Sequence, residues 1–374
     1  MSQPAPATIG MAADEVDTPA LLVDLDAFAR NLSRMATFAG DAGLKLRPHA
    51  KTHKCAVIAR KQMALGAVGI CCQKVGEAEA MVRGGVDDVL VSNQIVGTSK
   101  LRRLAALAAD ARIGVCVDDA ENINAIAEAA GEAGTNLDVL VEIDVGAGRC
   151  GVEPGAAAVD LAKRVADADG LRFRGLQAYH GSAQHIRDHD ERGAAIENAA
   201  RLARKTAEAL SVAGLECEDI TGAGTGSHPF EAASGVYTEL QCGSYIFMDA
   251  DYAQNRMADG DQFDDYENSL HVLATVMSTA KPGRAVVDTG HKALGNDQGM
   301  PTVADLEGAK YTKPSDEHGT IILKQGDNRV RLGDKLRLIP GHCDPTVNLY
   351  DWFVGIRSGR VAALWPIAAR GAAQ

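Results

Sequence analysis

Aromatic side chains make up only 4% of the 374 residues, so Leu, Val, Ile and Ala must fill any core. No apolar run approaches the roughly 20 residues that a membrane helix needs. The opening MSQPAPATIG lacks a basic region followed by an apolar one, so no signal peptide is expected. Blocks of Lys and Arg are missing too. With 38 basic against 50 acidic residues the net charge is −12, which argues against nucleic acid as a partner. The eight cysteines, at 55, 71, 72, 116, 150, 217, 242 and 343, form no spaced pairs. Without an export signal they read as reduced thiols of a cytoplasmic protein, most of them buried as small hydrophobes. Internal repeats, low-complexity segments and long linkers are also absent.

What is present is alternation. Strand-like apolar runs occur at Leu44–Pro48, Val68–Gln73, Asp88–Ser92, Arg112–Val117, Leu137–Val145, Phe173–Tyr179, Cys217–Gly222 and Glu239–Phe247. Between them lie amphipathic stretches such as Ala56–Leu65, Glu77–Arg83, Ala120–Ala133, Ala156–Ala168 and Glu191–Ala213. Continuous apolar runs separated by helical patterns imply parallel strands with right-handed crossovers. Eight such units suggest an α/β fold of the (β/α)8 TIM-barrel type, with an open doubly wound sheet as the alternative. The run Ala20–Leu25 precedes them and is expected outside the barrel, paired with a second layer. After about residue 266 the helical period stops and the runs become β-like, at His271–Met277, Arg284–Asp288, Thr320–Lys324, Lys335–Ile339 and Trp352–Arg357. Ile356–Val361 reads as a hairpin turning at Ser358-Gly359. The expected division is a barrel over 20–265 and a mostly β unit made of 1–19 with 266–374.

Barrel enzymes place their chemistry at the C-terminal ends of the strands. RPHAKTHK, Arg47 to Lys54, stands at the first such end, and a lysine in a desolvated pocket there can form a Schiff base. The plain alternative is that Lys51 is a solvated loop lysine. Gly222-Ala223-Gly224-Thr225-Gly226-Ser227 and Gly243-Ser244-Tyr245 follow the last two strands, where small-residue loops expose amides to a phosphate. Neither is a Walker or dinucleotide motif. Each reads equally well as a simple turn. Arg149 can face an anionic cofactor oxygen or pair with a surface carboxylate. In YHGSAQH, His180 and His185 are both candidate bases or structural hydrogen-bonders. In PGHCDPTVNLYDW, His342 and Asp344 would point the same way if extended, and suit an open divalent-metal site. A polar turn before Pro345 is the alternative there.

The set RPHAKTHK, GICCQKVGEAEA, VEIDVGAGRCGV, LQAYHGSAQH, TGAGTGS, YTELQCGSYIFMDADY, SDEHG and PGHCDPTVNLYDW resembles the D-threonine aldolase and D-serine dehydratase-like family. That family belongs with the alanine racemase type (fold type III) of pyridoxal 5'-phosphate (PLP) enzymes. The resemblance spans nearly the whole chain. It implies a PLP-carrying barrel, a metal-bearing β-domain and a homodimer. By position Lys51 looks like the Schiff-base lysine. Thr225, Gly226, Gly243 and Ser244 look like phosphate contacts. Gln73, Arg149, Tyr179 and Tyr245 look like further cofactor-pocket residues. His185 looks like the aldolase base, and His342 and Asp344 like the metal ligands. A His-x-Asp pair resembles the aldolase branch, which favours Mn²⁺ over Mg²⁺ or Zn²⁺, whereas the dehydratases resemble His-x-Cys. The implied reaction is retro-aldol cleavage of a D-3-hydroxy amino acid, with AYHGSAQH, AASGVYTEL and ENSLHVLATVMST closest to D-threonine as substrate. Alternatives are cleavage of 3-hydroxy-D-aspartate, dehydration of a D-3-hydroxyamino acid, and a non-catalytic PLP carrier.

Overall fold

The computed structural model describes residues 4–304, 306–324 and 329–374. Residues 1–3 of the expected second unit lie outside them. The first strand, β1 (Ala20–Asp24), runs straight into the helix Leu25–Asp41. Asp24 makes that abrupt change by accepting from the amides of Asp26 and Ala27, both at 3.0 Å, as an N-cap does. Leu25, Phe28, Leu32, Met35 and Ala39 then bury one face of the helix.

Eight parallel strands follow: β2 (Lys45–Leu46), β3 (Ile70–Cys72), β4 (Asp88–Gln94), β5 (Arg112–Val117), β6 (Leu137–Glu142), β7 (Leu171–Gln177), β8 (Asp219–Gly222) and β9 (Glu239–Leu240). They are ordered β2-β9-β8-β7-β6-β5-β4-β3. The two ends of that order meet. The Val68 amide donates to Leu46 O at 2.9 Å and the Cys71 amide to Pro48 O at 2.8 Å, beside a parallel bridge between His49 and Cys71. The sheet is therefore a closed (β/α)8 barrel, not an open one. Inside it Cys71, Leu90, Cys116 and Leu140 form a small cluster contributed by four neighbouring strands. All eight cysteines are free thiols.

Several strands are shorter than their apolar runs. The run ending at Phe247 is the clearest case. Its regular ladder covers Glu239–Leu240, backbone bonds of Gln241 N to Gly222 O and His49 N to Cys242 O extend the pairing two residues, and the chain then coils into a helical turn at Ser244–Ile246. Tertiary packing continues the apolar requirement after the ladder stops, so hydrophobicity alone overestimates strand length.

At the base of the seam, Arg47 is 1% exposed and spans two carboxylates, Glu239 at 3.0 Å and Asp88 at 2.5 Å. It ties the β2 segment to β9 on one side and to β4 on the other. Removing one member of a buried ion group strands the remaining charges. Arg47→Met is therefore expected to destabilise the fold by about 3–5 kcal/mol. Urea unfolding followed by circular dichroism checks this, and an unchanged midpoint would contradict it.

The second sheet is mostly antiparallel. Its order is Lys310–Pro314, Gly319–Ile322, Arg284–Val287, β10 (Leu270–Lys281), β1, Trp352–Arg357, Arg360–Pro366, with Lys335–Ile339 also on β10 and Thr302–Val303 beyond it. β1 sits between β10 and Trp352–Arg357, so the early apolar run joins this sheet and not the barrel. The hairpin at its edge turns through Ser358 (φ 49°) and Gly359 (φ 73°), two left-handed positions that suit a two-residue turn. Among the described residues no helix is long and apolar enough to cross a membrane.

Candidate active site

The C-terminal ends of the barrel strands surround one cavity of about 150 Å³. Lys51, Gln73, Arg149, Tyr179, Thr225, Gly243 and Ser244 all line it, although up to 193 residues separate them in sequence. A surface cleft between Gly193–Arg204 and Phe230–Ser234 is larger, about 760 Å³. Chemistry rather than size selects the smaller one, because only there do a lysine, a guanidinium and several buried polar groups converge.

Lys51 lies in a short 3-10 turn, Ala50–Thr52, just after β2. Its side chain is 43% exposed, and the Nζ stands 3.2 Å from Asp344 Oδ2. The Asp344 carboxylate raises the lysine pKa, overcoming the effect of burial. Burial pushes Asp344 upward, but the Lys51 ammonium, His342 and the Thr52 hydroxyl outweigh it and hold the carboxyl at about 2. Asp344 is thus an anion throughout the physiological range.

Beneath the lysine, His49 is buried. Burial and the nearby Lys51 charge lower it to about 3, so it is neutral. Its Nε2 lies 2.9 Å from Gln73 Nε2, which must donate, leaving the proton on Nδ1. Across the cavity, Gln177 and Gln241 bond each other at 2.8 and 3.0 Å, and Gln241 also donates to Thr221 at 2.9 Å. Arg149 reaches over the Tyr179 ring, 5.9 Å from its centroid.

The glycine-rich loop supplies one group with unused bonding capacity. Thr225 Oγ1 is buried, lines the cavity and has no hydrogen-bond partner among the described residues. A buried hydroxyl left unpaired is costly, and a phosphate oxygen is a fitting acceptor. Gly226 and Tyr245, expected at the same site, are placed differently. The Gly226 amide already donates to Gln184 Oε1 at 3.0 Å. The Tyr245 ring is in the hydrophobic core, and its hydroxyl accepts from Gln62 at 3.1 Å. Neither lines the cavity.

The metal-type pair comes from the second layer. The expected extended segment at 342–344 is instead the start of a helical turn, Cys343–Val347, with His342 at its N-cap position. Pro345 near the first turn favours that helix, and Thr346 Oγ1 closes it by donating to His342 O at 2.8 Å. The turn is anchored to the barrel through the Cys343 amide, which donates to Asp249 Oδ2 at 3.1 Å. His342 Nδ1 is 2.8 Å from Asp297 Oδ2, leaving Nε2 as its donor atom. A ring nitrogen held by a carboxylate is the usual arrangement for a metal-binding histidine. One imidazole and one carboxylate make an open donor set. Among the described residues no group of three or more His, Cys, Asp or Glu converges as a closed centre.

His185 is not on the cavity wall. It is stacked at 6.1 Å on Tyr252, whose ring does line the cavity. His180 lies elsewhere, with Nδ1 3.3 Å from Ser182 Oγ and its ring against Gly146. His49, Ser92, Gln177, Gln241 and Tyr252 also line the cavity. Their signal was available for Ser92, Gln177 and Gln241, polar residues at or beside the ends of apolar runs. Tyr252 ends the run YTELQCGSYIFMDADY, but no periodicity or spacing there marked it as a cavity residue.

A closed parallel barrel with a lysine-centred polar cavity, capped by a histidine–aspartate pair from a β layer, defines an enzyme of the alanine racemase architecture. Residues 23–251 match the family model of the alanine racemase N-terminal domain, and 269–356 that of the putative serine dehydratase domain. The chain belongs to this alanine racemase-type family, in its branch with the serine dehydratase domain. It is 49% identical over 368 residues to a D-threonine aldolase of Arthrobacter sp., covering 98% of this chain and 96% of that one. It is 48% identical over 370 residues to a 3-hydroxy-D-aspartate aldolase of Paracoccus denitrificans (strain Pd 1222), covering 98% and 95%. The crystal structure of a D-threonine aldolase from Filomicrobium marinum superposes with a TM-score of 0.97 at 53% identity, over 99% of this chain and all of that one.

Proposed function

We propose that this enzyme is a PLP- and divalent-metal-dependent lyase that splits D-3-hydroxy amino acids between Cα and Cβ, with D-threonine giving glycine and acetaldehyde. The observation that carries the reading is the 3.2 Å approach of Lys51 Nζ to Asp344 Oδ2. The cofactor-type amine and the metal-type carboxylate are neighbours, so a substrate's amino and β-hydroxyl groups can be held side by side. When bound, PLP supplies an electron sink for the pair released at Cα, and the divalent ion supplies Lewis acidity at the hydroxyl.

The chain's own groups do the rest. Lys51 anchors the cofactor through its amine. Thr225, Gly243 and Ser244 hold the phosphate, with the unpaired Thr225 hydroxyl as a donor. Arg149 and Tyr179 would line the cofactor pocket, with Gln73 supporting that wall through His49. Gly226 and Tyr245 shape the loops behind these contacts. His342 and Asp344 hold the ion, Mn²⁺ by preference, with Asp297 fixing the imidazole. His185 takes the hydroxyl proton at a ring nitrogen, which lets the Cα–Cβ bond break. The reading includes a homodimer resident in the cytoplasm.

Two relatives of almost equal identity carry different substrates in their names. The test is a comparison of kcat/KM for D-threonine and 3-hydroxy-D-aspartate, with products identified. A higher value for D-threonine and release of an aldehyde are expected. A 2-oxo acid with ammonia would mean dehydration instead.

A further inference from the structure

His185 does not stand alone. Its Nδ1 is 2.7 Å from Asp251 Oδ2, and Asp251 is 3% exposed. The other carboxylate oxygen is held by the Arg187 guanidinium. Arg187 also donates to Asp251 O at 2.9 Å and to Asn255 Oδ1 at 2.8 Å. The segment bearing Arg187 is fixed in turn. Buried Arg192 donates to Ile186 O at 2.7 Å and to Arg256 O at 2.7 Å, and the Arg256 amide donates to Arg187 O at 2.8 Å. Asn255 Nδ2 closes the frame by donating to Gln184 O at 3.0 Å.

This frame has a chemical consequence. Burial pushes the Asp251 carboxyl up, but the bonds from His185 and Arg187 outweigh it and keep it ionised. An ionised carboxylate only accepts, so the imidazole nitrogen facing it must carry the proton. In the neutral ring Nε2 then keeps its lone pair. The bond made by one ring nitrogen decides what the other can do.

We infer that Asp251, braced by Arg187, is a positioning residue that holds His185 in the tautomer and orientation needed to take a proton at Nε2. The inference rests on the reading of His185 as the base. The same carboxylate–imidazole logic operates in hydrolase triads, where the carboxylate orients the base and does not itself react. A plain structural alternative is that Asp251 merely pins the 182–188 segment to 249–255. The two differ in what they affect: positioning changes kcat through His185, whereas pinning changes the fold of the cavity wall carrying Tyr252.

The test is a double-mutant cycle on the PLP- and Mn²⁺-loaded enzyme. Asp251→Asn preserves shape but can present an amide N–H to Nδ1. It is expected to lower kcat for D-threonine cleavage on the order of 10²-fold, within the range for losing general acid–base catalysis. KM and the visible cofactor absorbance should stay unchanged. In a His185→Asn background the same change should cost less than about 2-fold, since residues acting as a unit are not additive. Additive losses, or a lost cofactor band with intact His185, would show a structural pin and overturn the inference. Loss of activity in His185→Asn with full activity in Asp251→Asn overturns the inference alone, while full activity in His185→Asn overturns the base assignment as well. Should Asp251→Asn fail to fold, ¹⁵N NMR of the imidazoles in the unmutated holoenzyme, with His185→Asn for assignment, reads the tautomer directly. A protonated Nδ1 and bare Nε2 support the inference, and the opposite tautomer defeats it.

Discussion

Replacing Lys51 by Ala is expected to abolish both the visible absorbance of the PLP-loaded protein and its turnover, by at least about 10⁴-fold. The reason is local. Lys51 is the lysine on the cavity wall, and its neighbours His49, Gln73 and Tyr179 are neutral polar or aromatic groups that cannot substitute for an amine. Thr225, Gly243 and Ser244, the proposed phosphate contacts, remain, so the variant should still bind PLP, only more weakly and without the covalent band. Adding free alkylamine together with PLP should restore part of the turnover, because an external amine can replace the missing nitrogen. A retained band with normal activity would remove Lys51 from the mechanism.

The second large effect is expected at Asp344. Its carboxylate serves two cations: it contacts the Lys51 ammonium and, in the proposed reaction, holds the divalent ion with His342. Asp344→Asn keeps the shape and the bond with Thr52 but deletes the charge. Turnover should fall on the order of 10³-fold, the scale of losing a principal electrostatic contact to a developing charge. The cofactor band should persist, because Lys51 is intact, and Mn²⁺ affinity measured by titration should drop. Loss of the band without loss of Mn²⁺ affinity would mean that Asp344 serves the lysine and not a metal. The wild-type carboxyl is held at about 2, so protonation of Asp344 removes its charge only as pH falls toward that value. The pH dependence of the enzyme near neutrality must come from other groups.

Much of the frame was legible because it is written locally. Parallel strands buried on both faces leave continuous apolar runs, and Arg112–Val117 has the same limits in sequence and structure. The helical period is lost before β10 (Leu270–Lys281), the long strand of the second, mostly antiparallel sheet. What local pattern cannot carry is anything made by distant partners. Asp251 meets His185 across 66 residues, and Asp297 meets His342 across 45. Asp297 lies in no distinctive motif, and Asp251, although inside YTELQCGSYIFMDADY, carries no local sign of which partner it meets. Barrel closure depends on single hydrogen bonds beyond the short β2 and β3 ladders, which periodicity does not report. Tyr245, which the resemblance puts in the cofactor pocket, has its ring in the hydrophobic core one step along a 3-10 turn, a direction that no local pattern reports. The helical turn at Cys343–Val347 was likewise hidden, since Pro345 reads as a turn breaker and as a good first-turn residue alike.

The most direct test loads the purified protein with PLP and Mn²⁺ and incubates it with D-threonine, with and without EDTA. Glycine, acetaldehyde and 2-oxobutyrate are then quantified. Metal-assisted retro-aldol cleavage predicts glycine and acetaldehyde in equal amounts, lost on chelation and recovered when Mn²⁺ is returned. Formation of 2-oxobutyrate, or glycine release that EDTA leaves untouched, would contradict it.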